Sequence, residues 1–242
     1  MTRMIAGLQP VREAIRVHGG KLERVLVEQG GGPQIDAVAR FAEDRGATVT
    51  RVVRGELDRA ARGARHQGAI AYAPDFTLAS LDDVTELVTS DPTAIVIALD
   101  EIEDPQNFGA VIRSAVALGA KAVVWPEHHS APLSPATFRA SAGAVEHALL
   151  ARVSALPLTL ERLREAGATV IGLDANADKA VEDLDVEGPI VLVVGAEGKG
   201  LRKTVKRVCT ELAKLSMRGP IDSLNASVAS GIALYEVVRK RR

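Results

Sequence analysis

From residue 93 onward the chain alternates between two kinds of apolar pattern. "TAIVIALD" (93–100), "AKAVVWP" (120–126), "ATVIGLD" (168–174), "GPIVLVVG" (188–195) and "TELAKLSM" (210–217) contain short apolar runs of the kind expected of buried strands. Between them "FGAVIRSAVALG" (108–119), "PATFRASAGAVEH" (135–147), "LTLERLREAG" (158–167) and "LRKTVKRVC" (201–209) read as helices, and a long helix is predicted from about Asn225. Strands that alternate with helices predict an α/β fold: a parallel sheet with helices on both faces.

The first seventy residues have a denser rhythm. "GLQPVREAIRV" predicts a helix with Leu8, Val11 and Ile15 on one side, and "LERVLVE" a strand. "IDAVARFAEDRG" predicts a helix stopped by Gly46, followed by strands at "ATVTRVV" and "GAIAYA". This is a small α/β unit over residues 1–74. "PDFTLASLDDVTELVTSDP" has proline at both ends, so residues 75–92 are expected to be a linker carrying a short helix. Residues 93–242 then form the second domain.

Composition narrows the class. Aromatic residues are 3% of the chain, so the core must be aliphatic. A single cysteine, Cys209, excludes an intramolecular disulfide and suits a reducing cytoplasm. The opening "MTRMIAGLQPVREAIRVHGG" carries charge throughout, which is not the pattern of a signal peptide, and runs such as "AIVIAL" are too short to span a bilayer. No cluster has metal-ligand spacing, and the adjacent His128 and His129 in a proline-rich loop read as surface. The net charge of −1 hides an asymmetry. Residues 1–73 hold 12 Lys and Arg against 8 Asp and Glu, a formal +4. Arg51, Arg54, Arg59, Arg62 and Arg65 cluster there, either as a solvated face or as a patch for the phosphates of a nucleic acid.

Three polar islands interrupt the apolar elements. In "DEIEDPQNFGAVIRSAVALGA" the helix is apolar nearly all round, which predicts burial and puts Arg113 in a costly place unless it is paired or reaches water. Asn107 at its start is a candidate N-cap. In "VLVVGAEGKGLRKTV" a strand runs into Gly195, Gly198 and Gly200, with Glu197 among them. The turn lacks the third glycine of a dinucleotide fingerprint and the Gly-Lys-Ser/Thr of a phosphate loop. It therefore reads as a close-approach turn at a strand end, with Glu197 either favoured by a helix start or paired to a buried cation. In "SLNASVASGIALYEVVRKRR" Ser223 or Asp222 is expected to cap the last helix, which leaves Asn225 and Ser227 unexplained.

Together and in this order the islands resemble the three motifs of the SpoU (TrmH-like) RNA 2′-O-ribose methyltransferases. Asn107 and Arg113 match the first motif, Gly195, Glu197 and Gly200 the second, and Ser223 to Ala229 the third. "GLQPVREAI", "RHQGAIA" and "SAGAVEH" are similar to the subgroup that methylates a guanosine ribose in 23S ribosomal RNA. The resemblance covers essentially the whole chain. It implies a deep trefoil knot in the C-terminal domain, a ribosomal-protein-like RNA-binding domain at the N-terminus, and S-adenosylmethionine as methyl donor, with no metal.

The resemblance also implies roles. Gly195, Ala196, Gly200, Leu215, Met217 and Leu224 are expected to hold the cofactor, largely through backbone. Asn107, Arg113, Glu197 and Asn225 are expected to be catalytic, with Glu197 orienting Arg113. Arg59, Arg62, Arg65, Ser223 and Ser227 are expected on the substrate side. Alternatives are a tRNA ribose methyltransferase and a non-catalytic RNA-binding assembly factor. A homodimer is also implied. In the last helix Val228, Gly231, Ile232, Tyr235 and Val238 form an apolar stripe expected on the chain's own sheet. The opposite side carries Ala229, Ala233 and Val237, to be covered either by the first-motif helix of the same chain or, as the resemblance implies, by a partner subunit, with Ala229, Ser230 and Ala233 small enough for close approach.

Overall fold

The computed structural model describes residues 2–220 and 223–241, so Asp222 lies outside the described residues. They form two compact units: Met1–Thr77 with Leu133–His147, and Leu78–Pro132 with Ala148–Arg242.

The first unit is built on a four-stranded sheet in the order β1-β4-β2-β3. Its strands are β1 (Thr2–Ala6), β2 (Arg24–Glu28), β3 (Val49–Val52) and β4 (Ala69–Pro74). β4 runs antiparallel to both β1 and β2, while β2 and β3 are parallel. Helices α1 (Leu8–His18) and α2 (Pro33–Asp44) pack over Val25, Val27, Ala69 and Ala71. Helix α3 (Arg54–Ala61) covers Leu26 and Ile70 with Leu57 and Ala61. The alternation of Ala69, Ile70 and Ala71 between the two clusters follows the two-residue period of a strand. Strand β1 and helix α3 escape the sequence pattern. "TRMIA" is short and charged, and α3 buries only those two residues, one turn apart.

"RHQGAIA" has a structural role in this unit. His66 is 5% exposed; its Nδ1 accepts the Gly68 N–H at 3.0 Å, which leaves Nε2 as the donor to Asp58 Oδ1 at 3.0 Å. Gln67 Oε1 accepts the Leu8 N–H at 3.1 Å.

The stretch 135–147 is not one helix and does not belong to the second unit. Helix α6 (Pro135–Ala140) stops where Ala142 and Gly143 take positive φ, and a short 3₁₀ turn follows. A Cβ on Gly143 would lie 2.8 Å from Glu13 Cβ, so the approach to α1 requires glycine. Buried Glu146 accepts Arg3 Nη2 at 2.6 Å and lies 2.8 Å from His18 Nε2.

The second unit carries a seven-stranded sheet, ordered β7-β6-β5-β10-β8-β11-β9 and parallel throughout. In chain order its strands are β5 (Ile95–Asp100), β6 (Ala122–Pro126), β7 (Leu149–Val153), β8 (Thr169–Leu173), β9 (Lys179–Ala180), β10 (Ile190–Gly195) and β11 (Glu211–Lys214). Every residue of β5 and β10 is buried, as their continuous apolar runs require. Helices α4 (Leu81–Ser90), α7 (Leu156–Glu165) and α8 (Lys203–Val208) share one core cluster with alternate residues of the strands. Helix α4, expected within a linker, opens with a capping box between Ser80 and Asp83 and buries Val84 and Val88 in this unit. Among the described residues no helix is long and apolar enough to cross a membrane.

Helices α5 (Pro105–Ala117) and α9 (Ala226–Lys240) pack against each other, and both correct the sequence reading. Helix α5 is not buried all round: Phe108, Val111, Ile112 and Ala115 face the interior, Val116 is half-buried and Arg113 is exposed. Phe108 meets Trp125 edge-on at 5.3 Å. In α9 the stripe expected on the sheet is exposed, and the small-residue face is covered by α5, the first-motif helix of the same chain. Ala226, Ser230, Ala233, Leu234 and Val237 are buried, while Val228, Ile232 and Tyr235 are 43–52% exposed. A Cβ on Gly231 would sit 3.6 Å from Ser114 Oγ of α5. Small residues turn inward because the two helices lie that close.

Candidate active site

Three chain segments meet at the carboxyl ends of β5, β10 and β11, where ligands of open parallel sheets bind. The first enters α5. Asp104 is its N-cap: Oδ1 accepts the Gln106 N–H at 3.2 Å and Oδ2 the Asn107 N–H at 3.0 Å, with Pro105 at the first helical position. The expected cap, Asn107, thus keeps its amide side chain for other partners.

The second segment is the glycine turn after β10. The Gly200 N–H bonds to the Ala196 carbonyl at 2.8 Å and closes the turn on itself. At its neck a Cβ on Gly195 would lie 2.3 Å from the Gly200 carbonyl carbon, so no other residue fits. Glu197 rides on this turn.

The third segment starts α9. Asn225, rather than Ser223, is the N-cap. Its Oδ1 accepts the Ser227 N–H at 2.9 Å, the Val228 N–H at 3.4 Å and the Ser227 hydroxyl at 2.6 Å. Its Nδ2 donates to Asn107 Oδ1 at 2.9 Å and to Glu197 Oε2 at 3.1 Å. Asn107 Nδ2 also donates to Glu197 Oε2, at 3.3 Å. One carboxylate therefore holds two amides, and each amide comes from a different motif.

Asn107, Glu197 and Asn225 are thus brought together, and Arg113 is not. Six residues along a helix rotate a side chain by about 240° from Asn107, away from the amide cluster. The expected Glu197–Arg113 pairing is absent among the described residues: the carboxylate goes to the two asparagines and Arg113 stays in solvent.

Beside the cluster lies a cavity of about 610 Å³, within the size range of small-molecule sites. Gly195, Ala196, Gly200, Leu215, Met217 and Leu224 all line it, with Ser223 and Glu197. Ser227 does not; its hydroxyl is committed to Asn225. The residues named from sequence leave out one wall of the cavity, made by Asp174, Asn176 and Lys206. Burial raises the Asp174 pKa, but the Lys206 ammonium and the Asn176 N–H lower it more, so the carboxyl sits below its ordinary range. The signal available was an aspartate closing the strand run "ATVIGLD". A smaller cavity of about 220 Å³ shares Asn107, Ala196, Glu197 and Lys199 with the cluster and the turn.

In the first unit the arginine cluster divides. Arg51 pairs with Asp36 at 2.8 Å and Arg54 with Glu28 at 3.4 Å. Arg59, Arg62 and Arg65 are not buried; Arg59 Nε donates to the Gly55 carbonyl one turn earlier in its own helix, 3.2 Å away. His128 and His129 are exposed, as expected.

Two family models match the chain. One, described as the SpoU rRNA Methylase family, covers residues 94–235. The other, RNA 2′-O ribose methyltransferase substrate binding, covers residues 4–78. A Mycobacterium ulcerans protein named "Uncharacterized tRNA/rRNA methyltransferase" is 39% identical over 243 residues, covering 100% of this chain and 78% of its own length. Among solved structures, an AdoMet-bound rRNA methyltransferase from Sinorhizobium meliloti is 28% identical with a TM-score of 0.78. It covers 99% of this chain and 87% of that one. The SpoU methyltransferase AviRb from Streptomyces viridochromogenes, in complex with AdoMet, is 25% identical with a TM-score of 0.79, covering 99% of this chain and 90% of that one.

Proposed function

The chain belongs to the SpoU rRNA methylase family, and we propose that it methylates the ribose 2′-hydroxyl of a guanosine in 23S ribosomal RNA. It is an S-adenosylmethionine-dependent RNA 2′-O-ribose methyltransferase. The cavity beside the glycine turn fits such a cofactor. Its volume suffices, and Gly195 and Gly200, packed backbone against backbone at the neck of the turn, line it without side chains. Gly195, Ala196, Gly200, Leu215, Met217 and Leu224 would hold it, mainly through backbone and apolar contact. The bound cofactor supplies an electrophilic methyl group on a sulfonium.

The chain's own residues do the rest. The observation that carries the reading is the amide cluster of Asn107 and Asn225 on Glu197, at the cavity's edge. A neutral ribose hydroxyl is a weak nucleophile and must be held about 3–3.5 Å from the methyl carbon. Glu197 accepts from both amides and so locks their orientation before RNA arrives. Asn107 positions the nucleotide, and Asn225 ties the third motif to the first. Arg113, as a guanidinium with a pKa above about 12, does not act as a base at neutral pH. From its exposed place on α5 it binds the target's phosphate and favours the developing alkoxide.

Ribosomal RNA is favoured over tRNA because a structure named as an rRNA methyltransferase matches 99% of the chain, N-terminal unit included. The first unit, with Arg59, Arg62 and Arg65, is the RNA-binding domain in this reading. The knot implied by the family falls in the C-terminal domain, which carries the glycine turn and α9. The exposed stripe of Val228, Ile232 and Tyr235 supports a homodimer through α9. The cytoplasm, where ribosomal RNA is assembled, is its place of action. The complete amide cluster disfavours a non-catalytic assembly factor.

Two measurements test this. Ribosomal RNA from a deletion strain should lack one 2′-O-methylguanosine in 23S, restored by the gene. Purified protein should transfer tritiated methyl groups to 23S RNA or its assembly intermediates and not to tRNA. Transfer to tRNA alone, with unchanged 23S methylation, would overturn the assignment.

A further inference from the structure

Asp100, the last residue of β5, is 0% exposed and carries a carboxylate into the interior of the second unit. A buried carboxylate is strongly unfavourable unless paired and hydrogen-bonded. Arg202 answers it three times over. Oδ2 accepts the Arg202 backbone N–H at 2.8 Å, while Oδ1 accepts Nε at 2.7 Å and Nη2 at 2.6 Å. Arg202 also reaches Glu101 Oε1 at 3.3 Å, and its side chain is 37% exposed.

The place of this pair matters. Asp100 is the strand partner of Gly195, where the glycine turn begins, and Arg202 is the residue at which the turn ends. One carboxylate thus stands beside the turn's entry and grips its exit. Within the turn the Ala196–Gly200 bridge restrains a stretch with three glycines, whose backbone freedom is large. Leu201 is anchored by the core, but it does not set the direction of the chain beyond it. Glu101, next to Asp100, holds φ at +59, a strained conformation for a non-glycine that persists only where its surroundings enforce it.

We propose that Asp100 is a positioning residue for methyl transfer, acting through Arg202 to hold the glycine turn so that Glu197 meets Asn107 and Asn225. The proposal rests on the reading of the 610 Å³ cavity as the cofactor site. Asp100 itself does not line that cavity; its effect passes through the turn.

The test uses Arg202→Lys, Arg202→Gln, Asp100→Asn and the double variant Asp100→Asn/Arg202→Gln in the full-length protein. Thermal unfolding, calorimetric affinity for S-adenosylmethionine, and kcat with KM for RNA are measured on each. Lysine keeps the charge but not the planar fork. Arg202→Lys should therefore stay folded, bind the cofactor about tenfold more weakly, equivalent to ~1.4 kcal/mol, and lose kcat about a hundredfold with KM for RNA unchanged. The double variant should be no worse than Asp100→Asn, because the two residues act as one unit. Wild-type affinity and kcat in folded Arg202→Lys and Arg202→Gln overturn the proposal, as do losses that add in the double variant. If Asp100→Asn does not fold, the two Arg202 variants decide. Leu215→Trp, which fills the cavity, separates the premise: undiminished cofactor binding in that variant refutes the site, whatever Arg202 does.

Discussion

Asn225 donates its side-chain amide to Asn107 at 2.9 Å across 118 residues of chain. The same Asn225 caps α9 through its other side-chain atom. One residue therefore carries a folding role on Oδ1 and a site role on Nδ2, and substitutions can separate them.

Serine at position 225 still caps the helix but has no amide to donate. Asn225→Ser should melt within about 2–4 °C of wild type, a shift near 1 kcal/mol for a unit of this size. Its methyl transfer should fall by about a hundredfold or more, as expected when reacting groups are misplaced by about 1 Å. Scanning calorimetry beside a tritium-transfer assay checks both. Equal activity in Asn225→Ser would remove the amide from the mechanism.

Arg113 is exposed and holds no ion pair among the described residues. Arg113→Ala should change stability by less than about 0.5 kcal/mol, the usual range for a surface position. It should leave cofactor affinity intact while abolishing transfer, and Arg113→Lys should not restore it. Parallel loss of cofactor binding would place Arg113 on the cofactor side.

The two faces of α9 predict opposite defects. Ala233 is 0% exposed, so Ala233→Glu buries a carboxylate and should destabilise the fold by ~3 kcal/mol or more. That replaces the expectation, drawn from placing Ala233 against a partner subunit, that this change weakens dimerisation and activity together. Ile232→Glu, on the exposed face, should instead yield a folded monomer near 25.5 kDa by light scattering at micromolar concentration. A wild-type protein that is itself monomeric and active under those conditions would end the dimer reading.

Cys209 is half-buried and chemically shielded. Burial and then the charge of Asp100 push its thiol up to about 12. At pH 8 the thiolate fraction in the folded chain is on the order of 10⁻⁴, so a disulfide reagent should react only after unfolding. The sign for stability follows. An unfolded thiol ionises near about 8.5, so above that pH the folded chain keeps a proton that the unfolded chain has released. Stability should fall from about pH 8.5 towards 12, and less so in Cys209→Ala.

The arginines of the first unit act through salt. Arg59→Ala/Arg62→Ala/Arg65→Ala should lower the slope of log affinity against log salt by about 0.7–0.9 for each phosphate no longer neutralised. Filter binding at several salt concentrations measures it. An unchanged slope would leave these side chains as solvated surface.

By itself the sequence determined what depends on local pattern. Continuous Ile, Val and Leu runs specified β5 and β10, because only strands buried on both faces are apolar at successive positions. Gly195 and Gly200 announced a turn where backbone must approach closely, and the three polar islands marked the segments that meet at the amide cluster.

What depends on distance between elements was decided only by the tertiary structure. Two faces of α9 were apolar, and the small one went inside because α5 lies close enough to exclude larger residues. Arg113 was placed in solvent by the 3.6-residue period once Phe108, Val111 and Ile112 had chosen the buried face. Glu197 took two asparagines rather than an arginine because the ends of β5, β10 and β11 bring those amides within 3.3 Å of it. Asp100 and Arg202 lie 102 positions apart and carry no shared motif. Only the register of β5 beside β10 brings the carboxylate to the end of the glycine turn.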